Sequence, residues 1–114
     1  MRRPLILLAV PVLLAALAIP ALAATRTVKV GDNYFVRSSG VPTVTVKKND
    51  TVRWAFTGDR PHNVKVKSGP VKFTSPDKTS GVFRRKMTRA GTYVLYCTIH
   101  GQSDQSMKLR VRSK

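Results

Sequence analysis

The chain has very few acidic residues. It contains no glutamate and only five aspartates, against 21 lysines and arginines, so its formal net charge is +16 at pH 7. A field of this sign favours acidic proteins, anionic lipid surfaces or nucleic acid as partners, and it carries no information about the fold. With 114 residues, the chain is long enough for one domain at most.

Cysteine is almost absent as well. Cys97 is the only one, so no disulfide can form within the chain. A lone cysteine in an exported protein pairs with another molecule, stays a free thiol or has its sulfur held by something else. A buried and inert thiol is the simplest of these interpretations, because free cysteine is among the most buried residue types.

The N-terminal segment has the pattern of an export signal. Arg2 and Arg3 supply positive charge, Leu5 to Ile19 form an apolar run, and Ala21 to Ala23 form a small-residue cleavage site. We expect a signal peptide at 1–23, cleaved after Ala23, and a domain at 24–114 that is periplasmic or extracellular. The alternative is a retained N-terminal anchor, since the uncharged run is just long enough to span a bilayer.

Beyond the signal segment, apolar and polar residues alternate. This period of two is typical of half-buried strands. Short turn motifs containing glycine, proline, asparagine or aspartate separate the alternating segments. About seven or eight short strands at this spacing predict an all-β sandwich or small barrel. The clearest alternating segments read TVTVK, TVRWAF, HNVKVK, TYVLYC and MKLRVR.

The alternation separates the cations from the residues that carry chemistry. The pattern assigns His62, Cys97 and Met107 to inward positions, together with the apolar residues. Outward positions form a basic surface, most of which is explained by solvation alone. The cations on these outward positions are Lys65, Lys67, Arg84, Lys86, Lys108, Arg110 and Arg112.

Taken singly, His62 is more often a hydrogen-bonded core residue, Cys97 an inert thiol and Met107 core packing. Their combination with His100 changes this interpretation, because ends of strands and loops at one pole of a sandwich can converge. A thiolate, two imidazoles and a weak thioether are the ligands of a blue-copper electron-transfer site. Zinc competes for cysteine and histidine, but the lack of a second cysteine and the presence of methionine favour copper.

Several segments resemble the cupredoxins, most closely the plastocyanin and pseudoazurin branch. They are PHNV (61–64), GTYVLYCTIH (91–100) with the following Met107, and VTVKKNDTVRWAF (44–56). The resemblance covers nearly all of the chain after the signal segment. It implies a Greek-key β-sandwich of about seven to eight strands and one copper ion that cycles between Cu(I) and Cu(II).

The resemblance also implies roles for individual residues. His62, Cys97 and His100 would be the equatorial copper ligands, and His100 would present its ring edge as the electron exit. Asn63 would tie the first ligand loop to the cysteine loop by hydrogen bonds, which orient the ligands. As an alternative, Asn63 is an ordinary outward residue of its strand.

The axial ligand departs from the family pattern. The segment GQSDQS separates His100 from Met107, and Gln105 stands where a plastocyanin-type loop carries its methionine. Either Met107 still reaches the metal from a longer loop, or Gln105 or no strong ligand completes the site. Both residues have the same inward parity. We favour Met107 at this point, because Leu109 and Val111 continue the strand as the family's closing strand does.

These features predict a small exported blue copper protein that shuttles single electrons and is not an enzyme, since two histidines cannot build further copper centres. An acidic redox protein is the expected partner. Association with an anionic membrane surface is a second candidate, and a monomer is expected. A copper protein for storage, delivery or sensing is one alternative function, and a metal-free basic domain that binds polyanions is another. Nucleic acid is not expected, because Trp54 and Phe56 share an apolar face and form no exposed stacking platform.

Overall fold

Alternating valines, threonines and aromatic residues form the strands of the computed structural model, which describes residues 22–113. Side chains of this kind pack well on a pleated, half-buried surface. Eight strands are formed: β1 Thr25–Gly31, β2 Tyr34–Phe35, β3 Thr43–Lys47, β4 Thr51–Phe56, β5 Lys65–Ser68, β6 Val82–Lys86, β7 Gly91–Tyr96 and β8 Ser106–Arg112.

The strands make two four-stranded sheets. The first sheet has the order β2-β1-β4-β6 and the second has the order β3-β8-β7-β5. The pairs β1–β4 and β3–β8 are parallel, and the other neighbours are antiparallel. Every connection from β2 to β7 crosses to the other sheet, which confirms the predicted all-β Greek-key sandwich of seven to eight strands.

The predicted strands agree with the observed ones except around the first histidine. TVTVK is β3 and TVRWAF is β4, but β5 begins only at Lys65. His62 lies before β5 in an isolated two-residue bridge, in which its backbone exchanges hydrogen bonds of 2.9 and 2.8 Å with Lys78. The backbone therefore holds His62 in a loop at the edge of the second sheet and not in a continuous strand.

The core lies between the sheets, as the alternation predicts. Trp54 is fully buried and Phe56 is 5 % exposed, so the aromatic residues of β4 pack inward. They face valines, Tyr93 and Leu95 from the second sheet. All seven cations predicted to point outward are exposed. Within residues 22–113, no helix is long and apolar enough to cross a membrane.

The predicted signal segment falls almost entirely outside the described residues, which begin at Leu22. Its cleavage therefore stays a prediction. The described chain is tied down from Ala24, whose backbone N–H donates to the Asp50 carboxylate at 2.8 Å and whose carbonyl accepts a 2.9 Å bond from Thr51.

Asp50 organises the turn between β3 and β4. Its side chain is 8 % exposed and accepts 2.8 Å hydrogen bonds from the backbone N–H groups of Lys47 and Ala24. The donor on Lys47, followed by the donor on Ala24, lowers the pKa of Asp50 below its usual value of 3.8. The ionised carboxylate therefore links this turn to the start of β1.

Asp50→Asn is expected to lower the free energy of unfolding at pH 7 by about 2 kcal/mol, because the amide cannot accept both hydrogen bonds. Since folding lowers the pKa of Asp50, its contribution is complete above the unfolded pKa and is lost as the pH falls below about 4. Urea unfolding between pH 7 and pH 3 measures this. The exposed Asp104→Asn serves as control, and an equal loss in both variants, or a loss that is the same at every pH, would contradict the assignment.

Candidate metal centre

Two loops at one pole of the sandwich bring three metal-binding side chains together. The β4–β5 connection carries His62, and the β7–β8 connection carries Cys97 and His100. One ligand atom from each of the three residues lies within 4.8 Å of the others. Within the part of the chain that the structure describes, this is the one group of its kind.

The distances between the metal-binding atoms show that these atoms face a common point. The Cys97 Sγ lies 3.5 Å from Nδ1 of His100 and 4.0 Å from Nδ1 of His62. The two imidazole rings are 4.7 Å apart at their centroids. Cys97 and His62 are fully buried, whereas His100 is half-buried.

Backbone hydrogen bonds close the loop that carries Cys97 and His100. The N–H of Cys97 donates to the carbonyl of Gln105 at 3.1 Å, and the N–H of Gly101 donates to the carbonyl of Cys97 at 2.9 Å. Gly101 has φ of 83°, in the left-handed region that favours glycine. This tight turn directly after His100 folds the loop back and places Gln105 beside Cys97.

Gln105 reaches the same point with its side-chain oxygen. Its Oε1 lies 2.9 Å from Nδ1 of His62, and the side chain is fully buried. Its Nε2 donates to the carbonyls of Gly31 and Tyr34 at 3.1 and 3.0 Å. Because both amide hydrogens are used by these carbonyls, the oxygen must be the atom that points at the centre.

The atoms at the centre are suited to a cation. His62 faces the Gln105 oxygen through Nδ1 and the Asp32 carboxylate through Nε2, and both of these partners are acceptors. A neutral imidazole has one proton and can satisfy only one of them. If Nε2 keeps the proton, then Nδ1, the Gln105 oxygen and the Cys97 sulfur all point lone pairs at one another. A soft metal ion satisfies these donors together.

Met107 is also fully buried, but it belongs to the body of the sandwich. It is the second residue of β8 and pairs with Leu95 of β7 in the antiparallel ladder. Met107 and Gln105 lie on the same inward side, as their parity predicts, and Gln105 is nearer to the pole.

Asn63 connects the two ligand loops. Its side-chain oxygen accepts a 2.8 Å bond from the backbone N–H of Thr98, and its Nδ2 donates to the Thr98 hydroxyl at 2.6 Å and to Asp77 at 2.8 Å. Asn63 is 4 % exposed, so it is not an ordinary outward residue. These contacts hold the residues next to His62 and Cys97 at a fixed separation.

The sequence analysis did not identify Asp32 as part of the centre. Its carboxylate lies 2.9 Å from Nε2 of His62, although the two residues are 30 positions apart. The motif Gly31-Asp32-Asn33 indicates only a turn when it is seen in sequence. The one feature of the sequence that could have pointed to Asp32 is its position as a polar residue in the turn after an inward-facing strand.

Solved structures of copper proteins share this architecture. A methionine-to-glutamine variant of amicyanin, with Cu(I), is 28 % identical, covers 77 % of this chain and 82 % of its own, and has a TM-score of 0.65. An oxidised proline-to-glycine variant of amicyanin is 27 % identical over 82 % of this chain and 86 % of its own, with a TM-score of 0.59.

A larger copper enzyme is similar in fold. The copper-containing nitrite reductase of Thermus scotoductus SA-01 is 21 % identical and has a TM-score of 0.64 over 79 % of this chain, which spans 23 % of the reductase. No protein-family model matches the chain.

The amicyanins share both the sandwich and about a quarter of the sequence, and they are copper proteins of one family. The donor atoms of this chain converge at one pole in the manner that such a site requires. The chain therefore has the cupredoxin fold and resembles that family, and His62, Cys97 and His100 are placed to bind one copper ion.

Proposed function

We propose that the protein is an exported carrier of single electrons with one type 1 copper site. The observation that carries this proposal is the convergence of the Cys97 sulfur with Nδ1 of His62 and of His100. Bound copper supplies a one-electron couple. We do not expect an enzyme, because both histidines are used at this one centre and none is left to build a further copper centre.

Efficient electron transfer requires that the ligands move little when the charge changes. Asn63 and Thr98 join the two ligand loops by hydrogen bonds, and the Cys97 N–H is bonded to the Gln105 carbonyl. Cys97 and His62 are fully buried. A buried site whose loops are joined by hydrogen bonds is expected to retain its copper ion. This favours an electron carrier over a protein that delivers copper to another protein.

The electron enters and leaves through His100. Its ring lies 3.5 Å from the Cys97 sulfur through Nδ1, and it is the least buried of the three ligands. The neighbouring Ile99 is 46 % exposed and gives the surface beside His100 an apolar spot. A partner that packs on this spot comes within reach of the ring without exposing the sulfur.

We further propose Gln105 as the axial ligand, with Met107 in the core behind it. The 2.9 Å approach of the Gln105 oxygen to Nδ1 of His62 supports this assignment. So do the bonds from its amide nitrogen to two backbone carbonyls, which prevent the side chain from turning around. Met107 is opposite Leu95 in the ladder and one step further from the pole.

Export with cleavage after Ala23 agrees with the contacts of Ala24. Cleavage there would create an ammonium group at the nitrogen that already lies 2.8 Å from the Asp50 carboxylate. The new charge would strengthen an existing hydrogen bond. The released domain would act in the periplasm or outside the cell, as a monomer.

An acidic redox protein is the proposed partner. Between residues 22 and 113, no lysine or arginine lies within 4.0 Å of a carboxylate, so the cations there are free to act on a partner. Lys67 and Lys78 lie near the metal pole, because Lys67 donates to Gln102 in the ligand loop and Lys78 is bridged to His62. An anionic membrane surface would be attracted by the same charges.

Addition of Cu(II) to the purified protein is expected to give one equivalent of bound metal and an intense thiolate-to-copper absorption band. Cys97→Ser is expected to remove the band, because the alcohol cannot replace the thiolate. Ile99→Ser alters an exposed residue of the same loop and should leave the band in place. A pale complex in the unmodified protein, or no stoichiometric binding, would overturn the proposed function.

Gln105→Met is expected to raise the reduction potential and change the EPR spectrum, because a thioether stabilises Cu(II) less than an amide oxygen does. Met107→Leu should keep the spectrum and potential and cost less than about 1.5 kcal/mol of stability, as volume-conserving core changes usually do. The reverse pattern, in which only Met107→Leu changes the spectrum, would identify Met107 as the axial ligand.

Hexacyanoferrate(III) is an anionic one-electron oxidant. The rate at which it oxidises the Cu(I) protein is expected to fall as ionic strength rises. The double variant Lys67→Gln/Lys78→Gln should slow this reaction about tenfold at low salt. Lys48→Gln/Lys86→Gln removes the same charge at the opposite pole, beyond the screening length of about 10 Å at 0.1 M salt. Equal rates in the two double variants would exclude steering by the metal pole.

A further inference from the structure

Asp32 is held against the metal centre from several sides. It lies in the turn between β1 and β2 and approaches Nε2 of His62 to 2.9 Å through Oδ1. The backbone N–H groups of Asp59 and Arg60 donate to its two carboxylate oxygens at 3.0 and 3.1 Å. A Cβ atom at Gly58 would lie 2.3 Å from Oδ1, so the loop leaves no room for a side chain there.

Both oxygens of this carboxylate act as acceptors. The backbone N–H of Asp59 donates to Oδ2 and that of Arg60 donates to Oδ1, and hydrogen bonds of this kind favour the ionised form. An ionised carboxylate only accepts hydrogen bonds, so the proton between the two groups belongs to Nε2 of His62. Nδ1 is then unprotonated and its lone pair points toward the Cys97 sulfur.

We propose that Asp32 is a positioning residue that fixes the tautomer of His62 and holds the copper reduction potential low. The inference depends on the proposed type 1 site. Histidine ligands commonly donate their second N–H to a carboxylate, and this partner makes the ligand more basic.

The direction of the effect follows from charge. The oxidised centre carries one more positive charge than the reduced centre, so a fixed negative charge next to a ligand stabilises the oxidised state more. His62 is fully buried, whereas the Asp32 side chain is 36 % exposed, so water screens the carboxylate only in part. In the described part of the chain, no other carboxylate contacts any of the three ligands.

The test compares two variants that each remove one negative charge from the same region. Asp32→Asn removes the carboxylate that contacts His62, and Asp59→Asn removes an exposed one from the neighbouring loop. Asp32→Asn is expected to weaken Cu(II) binding roughly ten- to hundredfold. If the affinity for Cu(I) falls about tenfold less than the affinity for Cu(II), the copper reduction potential rises by about 59 mV. Asp59→Asn should change the potential much less, because its effect comes only from overall charge.

A second measurement observes the ring proton of His62 directly and begins with the unmodified sequence. In ¹H–¹⁵N spectra of the diamagnetic Cu(I) protein, His62 is expected to carry its proton on Nε2, with a resonance shifted downfield by the carboxylate. In Asp32→Asn this resonance should move upfield. A His62 protonated on Nδ1 would overturn the inference, and so would equal potentials in Asp32→Asn and Asp59→Asn.

The outcomes distinguish this inference from the proposed function. If the unmodified protein lacks the thiolate band, the type 1 site itself is absent. If the band is present but Asp32→Asn leaves the potential and the His62 proton unchanged, only the role of Asp32 is rejected.

Discussion

A buried histidine with an acceptor on each side of its ring is the constraint on which the metal centre depends. His62 lies in a loop that crosses between the sheets. It contacts Asp32, in the turn after β1 of the first sheet, and Gln105, which directly precedes β8 of the second sheet. One ring proton cannot satisfy both acceptors. For the neutral ring, a metal cation at Nδ1 completes the centre, and the same arrangement joins the two sheets at this pole.

Most of the few acidic residues of the chain are placed where they accept specific hydrogen bonds. Three of the five aspartates accept defined hydrogen bonds: Asp32 from His62 and two backbone groups, Asp50 from Lys47 and Ala24, and Asp77 from Asn63. In the described residues, none of the carboxylates neutralises a lysine or arginine. Carboxylates are thus used for local geometry, and the cations generate the long-range field.

The fold and the three metal ligands could be predicted because they depend on local patterns. Alternation identified the inward faces of β3, β4, β7 and β8. The combination of His62, Cys97 and His100, together with the resemblance to the cupredoxins, indicated the ligands. Asp32 could not be found in this way, since its contact with His62 spans 30 positions and depends on how the β1–β2 turn faces the β4–β5 loop. Parity could not separate Gln105 from Met107, because residues two apart in a strand share a face.

The two histidines have different roles although both present Nδ1 to the sulfur. His62 is fully buried, bonded to a carboxylate and fixed by its backbone bridge to Lys78. His100 is half-buried, beside the exposed Ile99 and directly before the tight turn at Gly101. A charge close to His62 acts on the energy of the centre without obstructing its surface. In the proposed carrier, contact with a partner at His100 would complete the electron path, and potential and recognition would be controlled at separate ligands.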